Sequence, residues 1–83
     1  MKKIGKVIVI TRNNNAIVRI KRKLHLGSKV YDEKMRIIGF IYDIIGPVKK
    51  PYAVIKIDSS KITPNSLTGK TLFIENERRW KKR

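Results

Sequence analysis

The side chains that could take part in acid–base chemistry are few in this chain and far apart. The single histidine, His25, lies between two leucines, with no acid or nucleophile beside it. Asp32 and Asp43 could form a carboxylate pair, the arrangement that serves general acid–base catalysis. However, Asp32 opens a polar turn, where its side chain is expected to accept hydrogen bonds from nearby backbone amides, and Asp43 could pair with a lysine. We therefore expect that this chain is not a catalyst by itself.

Other kinds of site lack the residues that they require. The chain contains no cysteine, so neither a disulfide framework nor a thiolate metal site is available. It has no glycine-rich phosphate loop, zinc-ligand spacing or nucleophile motif, and we expect neither cofactor nor metal. No apolar run approaches the roughly 20 residues that span a bilayer, and residues 7–10 are too short for a signal-peptide core. We expect a cytoplasmic protein, nuclear or nucleolar in a eukaryote, with no membrane partner.

Net charge is the strongest signal in the composition. Twenty-one Lys and Arg residues stand against six Asp and Glu, which gives a formal net charge of +15. Such a field attracts nucleic acid, or an assembly that contains it, through long-range attraction and counterion release. An anionic membrane is the competing partner, but the chain shows no long amphipathic helix with one basic face. The charge indicates the surroundings of the protein and does not specify a mechanism.

The elements that must position any site are short strands joined by tight turns. Runs rich in β-branched and aromatic residues, separated by Gly, Pro and Asn, are typical of strands and turns. They predict strands over residues 6–11, 16–21, 29–31, 36–45, 52–57 and 70–75, and a single helical turn near 64–66. We predict an all-β fold, a small closed six- or seven-stranded β-barrel, because closure removes exposed sheet edges. The barrel is expected to span residues 1–77 as one domain, followed by a basic C-terminal tail, 78–83.

The longest predicted strand is apolar on both faces. Alternation places Ile37, Gly39, Ile41, Asp43 and Ile45 on one side, and Ile38, Phe40, Tyr42 and Ile44 on the other. The lumen of a barrel accounts for only one apolar face. Two interpretations of the second face stay open: cover by the loop 58–68, or a protein-binding surface on the barrel wall. We favour the binding surface, because large exposed apolar patches usually mark interfaces.

Three segments of the sequence combine glycine, proline, aspartate and apolar residues at fixed spacing. They contain Gly27, Val30 and Asp32; Ile38, Gly39, Ile41, Asp43, Ile44, Gly46, Pro47, Val48, Pro51 and Tyr52; and Leu67, Gly69, Lys70, Leu72, Phe73 and Ile74. In these residues the chain resembles a known family, the glycine-arginine-rich-protein subunit of H/ACA ribonucleoproteins. The most specific element is GPVKKPY, residues 46–52, directly after the strand that contains IGFIYD. The chain lacks the flanking Arg-Gly-Gly repeats of eukaryotic members and is therefore similar to the archaeal form.

The resemblance implies a specific accessory function. Family members are non-catalytic subunits of the particle in which a guide RNA directs a pseudouridine synthase to uridines of ribosomal RNA. The resemblance implies that the barrel docks on the catalytic subunit, largely without touching the guide RNA. It further implies an influence on a mobile active-site loop, and so on substrate loading and product release. Loop gating of this kind sets turnover without supplying chemistry.

The GPVKKPY segment has the properties of a docking loop. Its two prolines fix backbone dihedrals, so that less conformational entropy is lost on binding, and tyrosine is favoured at binding hot spots. We predict that the synthase contact includes Ile44, Gly46, Pro47, Val48, Pro51 and Tyr52. The alternative is a rigid turn at a barrel corner with Tyr52 in the core.

Contact with RNA is a weaker expectation. The candidate residues are Lys49, Lys50, Arg78, Arg79 and Trp80. An aromatic ring within a basic cluster could stack on a base, whereas solvated charge and packing of the tail against the barrel are the alternatives. The basic run at 19–23 is interpreted as a solvated strand end.

Two functional classes therefore remain. The first is the docking subunit of an RNA-modifying particle, and the second is a barrel that binds RNA directly, such as an OB-like or ribosomal protein. An RNA platform requires several exposed aromatic residues on one sheet face. The sequence places Phe40 and Tyr42 among apolar neighbours and the other aromatic residues apart, which favours docking. The apolar wall could also cause weak self-association.

Overall fold

Six antiparallel strands close into a barrel in the computed structural model, which describes residues 2–21 and 24–75. The strands are β1 (Lys2–Ile10), β2 (Asn15–Arg19), β3 (Lys29–Tyr31), β4 (Ile37–Ile45), β5 (Tyr52–Ile57) and β6 (Thr71–Ile74). Around the barrel they follow the order β1-β2-β5-β4-β3-β6. The predicted all-β closed barrel is confirmed, with six strands in the described part of the chain. The boundary at residue 77 stays a prediction, since residues 76–83 lie outside the described residues.

The core fills the lumen with aliphatic side chains. It is formed by Ile4, Val7, Ala16, Val18, Ile20, Val30, Ile38, Ile41, Ala53, Ile55, Ile57, Leu67, Leu72 and Ile74. Alternate residues of each strand point inward, and β-branched side chains pack well on such a pleated surface. One turn of 3₁₀ helix, Pro64–Leu67, brings Leu67 into the core at 2% exposure. The helical turn predicted near residues 64–66 is confirmed.

Strand β1 is longer than the sequence indicates because it has two different neighbours. Its first part, from Lys2 to Lys6, pairs with β6, and its second part, from Val7 onward, pairs with β2. Residues 2–5, which precede the predicted start of the strand, include two lysines and a glycine, and these residue types do not favour a strand by themselves. Pairing with β6 therefore extends the strand beyond what local propensity predicts.

The barrel closes narrowly between β3 and β6. The two strands share one pair in the register, Tyr31 with Phe73. Beside it, the hydroxyl of Tyr31 donates a hydrogen bond to Oε2 of Glu75, with 3.0 Å between the oxygens. This bond to the carboxylate raises the pKa of Tyr31, and burial of the ring and the Glu75 charge act in the same direction.

The predicted faces of β4 are wrong, because two irregularities interrupt the alternation. A register shift between Ile41 and Asp43 inserts one extra residue opposite β5, and such a bulge reverses the side-chain alternation that follows it. Ile44 consequently packs against the core and does not share the exposure of Tyr42. Ile45 is exposed, whereas Ile41 is buried.

The second irregularity lies at the start of β4, opposite β3. Val30 pairs with Gly39 and Tyr31 with Ile37, so the intervening Ile38 has no direct partner. Ile38 is 1% exposed, whereas Phe40, predicted on the same face, is 41% exposed. Both bulges therefore turn aliphatic side chains inward and leave the aromatic side chains outside.

Candidate docking surface

The outer face of β1, β2, β5 and β4 carries several apolar side chains, and the exposed Asp43, paired with Val54, lies on the same face. Directly paired residues of neighbouring strands share a face: Val9 pairs with Ile17, and Ile17 pairs with Val54. The next row contains Tyr52 paired with Ile45. We call this surface the apolar wall, and it consists of Ile8, Val9, Ile17, Phe40, Tyr42, Ile45, Tyr52 and Val54. Its members are exposed or half-buried, so no described residue covers the wall.

The loop between β4 and β5, residues 46–51, lies at one end of the apolar wall. Within this loop, the amide of Lys50 donates a hydrogen bond to the carbonyl of Pro47 over 3.1 Å. This bond closes a tight turn that has Val48 near its tip. Val48 is 95% exposed. The base of the loop is attached to the residue that follows β2, since the amide of Ile20 donates to the carbonyl of Pro51 over 3.1 Å. The loop thus presents an apolar tip from a fixed base.

Gly46 is required for this geometry on two grounds. Its φ of +95° is a conformation that L side chains rarely adopt. A Cβ atom at this position would also lie 3.2 Å from the ring of Tyr52 and 3.2 Å from the carbonyl oxygen of Lys50. The loop therefore folds back closely over the start of β5.

The six predicted contact residues differ in how much of each side chain is exposed to solvent. Gly46, Pro47 and Val48 are exposed, and Pro51 and Tyr52 are half-buried at the loop base. Ile44 is half-buried and packs against the core, so it offers the least surface to a partner. Their role in docking stays a prediction. Among the weaker RNA candidates, Lys49 and Lys50 are exposed, and Arg78, Arg79 and Trp80 lie outside the described residues.

Tyr52 faces the outside of the barrel and not the core. It pairs with Arg19 of β2, and the guanidinium of Arg19 lies 5.8 Å from the centroid of its ring. A matching contact joins Lys56 to Tyr42, with the ammonium 5.5 Å from the ring centroid. Cations over exposed aromatic rings contribute modestly, about 0.5–1 kcal/mol.

Phe40, Tyr42 and Tyr52 all belong to the apolar wall; the sequence placed Phe40 and Tyr42 on one face but missed Tyr52. Tyr52 joins β4 on this face only through β4–β5 pairing, in which its partner is Ile45. Three aromatic residues on one face could also serve an RNA platform. Their direct neighbours are both cationic and aliphatic: Phe40 pairs with Lys29 and Lys56, whereas Tyr52 pairs with Arg19 and Ile45.

The carboxylates do not form a catalytic pair. Asp32 is 4% exposed. Its Oδ1 accepts hydrogen bonds from the amides of Lys34 and Arg36, both at 2.9 Å, while its Oδ2 lies 2.7 Å from Nη2 of Arg36. Burial opposes ionisation, but these bonds outweigh it and lower the pKa of Asp32. The predicted role of Asp32 as acceptor for turn amides is confirmed. Asp43 is exposed, and its Oδ1 accepts from the amide of Ile44 over 2.8 Å.

Sites of other kinds are not evident in residues 2–21 and 24–75. They contain no group of three His, Cys, Asp or Glu side chains that could hold a metal ion. None of their helices is long and apolar enough to cross a membrane.

Comparison with known proteins decides the family. The protein-family model described as the Gar1/Naf1 RNA binding region matches residues 1–81. The chain belongs to this family. The match agrees with the resemblance seen in the sequence and makes the chain a Gar1-type protein of H/ACA ribonucleoproteins, a group of non-catalytic accessory components.

Two similar proteins show how far the similarity extends in sequence and in structure. An uncharacterized protein of Methanothermobacter thermautotrophicus is 33% identical over 88 residues, which cover 100% of this chain and 95% of that protein. The solved Gar1 domain of Naf1 superposes with a TM-score of 0.68 at 25% identity, over 89% of this chain and 81% of that one. The similarity to the Gar1 domain of Naf1 thus covers most of the chain.

Proposed function

We propose that this protein docks on the pseudouridine synthase subunit of the H/ACA particle and promotes turnover of rRNA pseudouridylation. The observation that carries the proposal is the exposed loop 46–51 adjoining the apolar wall. Its apolar tip, Val48, is 95% exposed on a turn fixed by two prolines and by the Pro47–Lys50 hydrogen bond. A rigid apolar tip loses little conformational entropy on binding and is suited to insertion into a pocket.

The wall supplies the remainder of the proposed contact. Its aliphatic centre, Val9, Ile17 and Val54, lies in one row of paired residues, and the cations Arg19 and Lys56 border it over aromatic rings. An apolar centre with a charged rim is the usual anatomy of a protein interface. Docked in this way, the barrel acts on substrate loading and product release by influencing a mobile loop of the synthase, and supplies no reacting group.

The first test is a pair of titrations of the 83-residue chain. The purified synthase is one partner and a guide RNA alone is the other, each at about 0.15 M salt, where exposed charges are already screened beyond about 8 Å, and again at high salt. The proposal expects tight, salt-tolerant binding to the synthase and weaker, salt-sensitive binding to RNA. Tight RNA binding without synthase binding would establish the alternative, a barrel that binds RNA directly.

Val48→Asp locates the contact. A charge placed in a desolvated hot spot costs about 2 kcal/mol or more, so synthase affinity should fall at least about 30-fold while the far-ultraviolet circular dichroism is unchanged. Tyr52→Glu is expected to act in the same direction. Met35→Asp is the matched control, because Met35 is also an exposed apolar residue and precedes β4, whereas Val48 follows it. Retained synthase binding by Val48→Asp, or equal loss in the control, would refute the assignment.

A further inference from the structure

A basic cleft opens on the side of the barrel where β1 and β2 stop pairing. The two strands are paired from Val7 and Val18 onward, but residues 2–6 of β1 pair only with β6. The chain after β2 meanwhile turns to the loop 46–51, through the hydrogen bond between Ile20 and Pro51. The space between the separated segments is a cleft of about 300 Å³.

Gly5 is one of the residues that line this cleft. A Cβ atom at Gly5 would collide with the backbone carbonyl oxygen of Arg19, and the φ of Gly5 is +145°. The backbones of β1 and β2 therefore approach closely here, and the bulge between Lys3 and Gly5 redirects the preceding residues. The cleft is a consequence of the backbone path and not of side-chain placement alone.

The charges around the cleft have one sign. Five of its lining residues are cationic: Lys2, Lys3, Lys6, Arg19 and Lys21. Its apolar floor consists of Ile4, Ile20, Leu24 and Ile74. Among the described residues, those that line it include no Asp or Glu. Five like charges around one cleft repel each other, and a polyanion that neutralises several of them relieves this repulsion.

We propose that this cleft binds the phosphate backbone of a single RNA strand. Lysine and arginine side chains on both sides can each neutralise a phosphate and release its counterions, while the apolar floor accommodates ribose. Among the described residues that line the cleft, none is aromatic, so these residues offer no base-stacking platform. Binding is therefore sequence-independent and strongly dependent on salt.

The cleft is distinct from the proposed docking surface but adjoins it. Arg19 lines the cleft and at the same time lies over the ring of Tyr52, at the base of the loop 46–51. A synthase bound at the loop would therefore lie beside the cleft. The proposal does not depend on docking, because the cleft and its charges belong to the barrel itself.

The test measures binding of a fluorescent oligouridylate to the 83-residue chain as a function of salt. For a single strand, log K falls with log salt by about 0.7 for each neutralised phosphate. If four phosphates are neutralised, affinity falls about 50-fold between 50 and 200 mM salt. The double variant Lys3→Ala/Lys21→Ala should lower the slope by about 1.4 and the affinity at 0.1 M salt about 25-fold.

The control variant has the same net charge as the cleft variant, but its two substitutions lie outside the cleft. Lys34→Ala/Lys61→Ala removes two exposed lysines that lie outside the cleft, so its slope should stay near that of the unaltered chain. Equal losses in the two variants would show that only the overall charge attracts RNA, and the cleft proposal would be wrong. An unchanged slope in the cleft variant would overturn it equally.

Two further measurements separate the cleft from the other candidates. The cleft variant should keep its affinity for the synthase, and Val48→Asp should keep its affinity for RNA. The two proposals are therefore tested separately, and either one can fail without the other. Vesicles containing phosphatidylserine provide the membrane arm. Cleft-dependent binding to these vesicles, without cleft-dependent binding to RNA, would assign the site to lipid and reject the RNA proposal.

Discussion

Strand β4 is flanked by two connections of opposite construction, the turn 32–36 before it and the loop 46–51 after it. In the turn, the carboxylate of Asp32 accepts from two backbone amides and from the guanidinium of Arg36, and it is buried. In the loop, Val48 extends into solvent, and one backbone hydrogen bond joins Pro47 to Lys50. The turn is held by side-chain hydrogen bonds of the buried Asp32, whereas the loop leaves its apolar tip, Val48, almost fully exposed. The difference indicates that the turn serves stability and the loop serves a partner.

The largest effect on stability is expected from Asp32→Asn. An amide has only one oxygen and cannot replace both acceptor oxygens, and hydrogen bonds to charged groups contribute about 1.5–3 kcal/mol. The free energy of unfolding should fall by about 2–3 kcal/mol, measured by urea denaturation. Affinity for the synthase should be unchanged at temperatures where the variant is folded. A loss of affinity in the folded variant would show that the two connections are not independent.

Gly46→Ala tests whether the loop 46–51 needs the backbone conformation of Gly46 for stability and for synthase binding. A side chain at φ +95° is strained, which costs about 1–2 kcal/mol, and its Cβ would press on Tyr52. We expect a lower urea midpoint together with weaker synthase binding, since the loop tip is displaced. Unchanged binding despite lower stability would indicate that the tip does not need its present position.

Low pH should reduce the stability that Asp32 contributes through the turn 32–36, and it should leave the loop 46–51 unaffected. The folded state lowers the pKa of Asp32, so its contribution to stability is present above the unfolded pKa of about 3.9 and is lost as pH falls through the folded value. The free energy of unfolding should therefore decrease below about pH 4. In Asp32→Asn this decrease should be smaller. Equal acid sensitivity in both proteins would assign the effect to other carboxylates.

The smallest effect on stability is expected at the residue with the largest proposed effect on binding. Val48 is almost fully exposed, so Val48→Asp should change the free energy of unfolding by no more than about 0.5 kcal/mol. Thermal denaturation of this variant beside the unaltered chain provides the measurement. A loss above about 1 kcal/mol would mean that Val48 has a structural role, and the contrast between the two connections would disappear.

Local features of this protein were predictable from its sequence because they depend on neighbours along the chain. Asp32 bonds to residues two and four positions later, and an Asp at the start of a polar turn predicts that directly. The strand types, the closed barrel and the 3₁₀ turn at Pro64–Leu67 follow from composition and punctuation. The family was identifiable because the GPVKKPY element combines several residues at fixed spacing.

The surfaces were decided by tertiary structure. The bulge at Tyr42 turned Ile44 inward and Ile45 outward, and strict alternation cannot predict where an extra residue enters a ladder. The apolar wall and the basic cleft each collect residues from strands that are distant in sequence. They exist because barrel closure fixes which strands are neighbours and where they separate. Sequence determined what kind of barrel forms, whereas strand pairing determined which side chains face a partner.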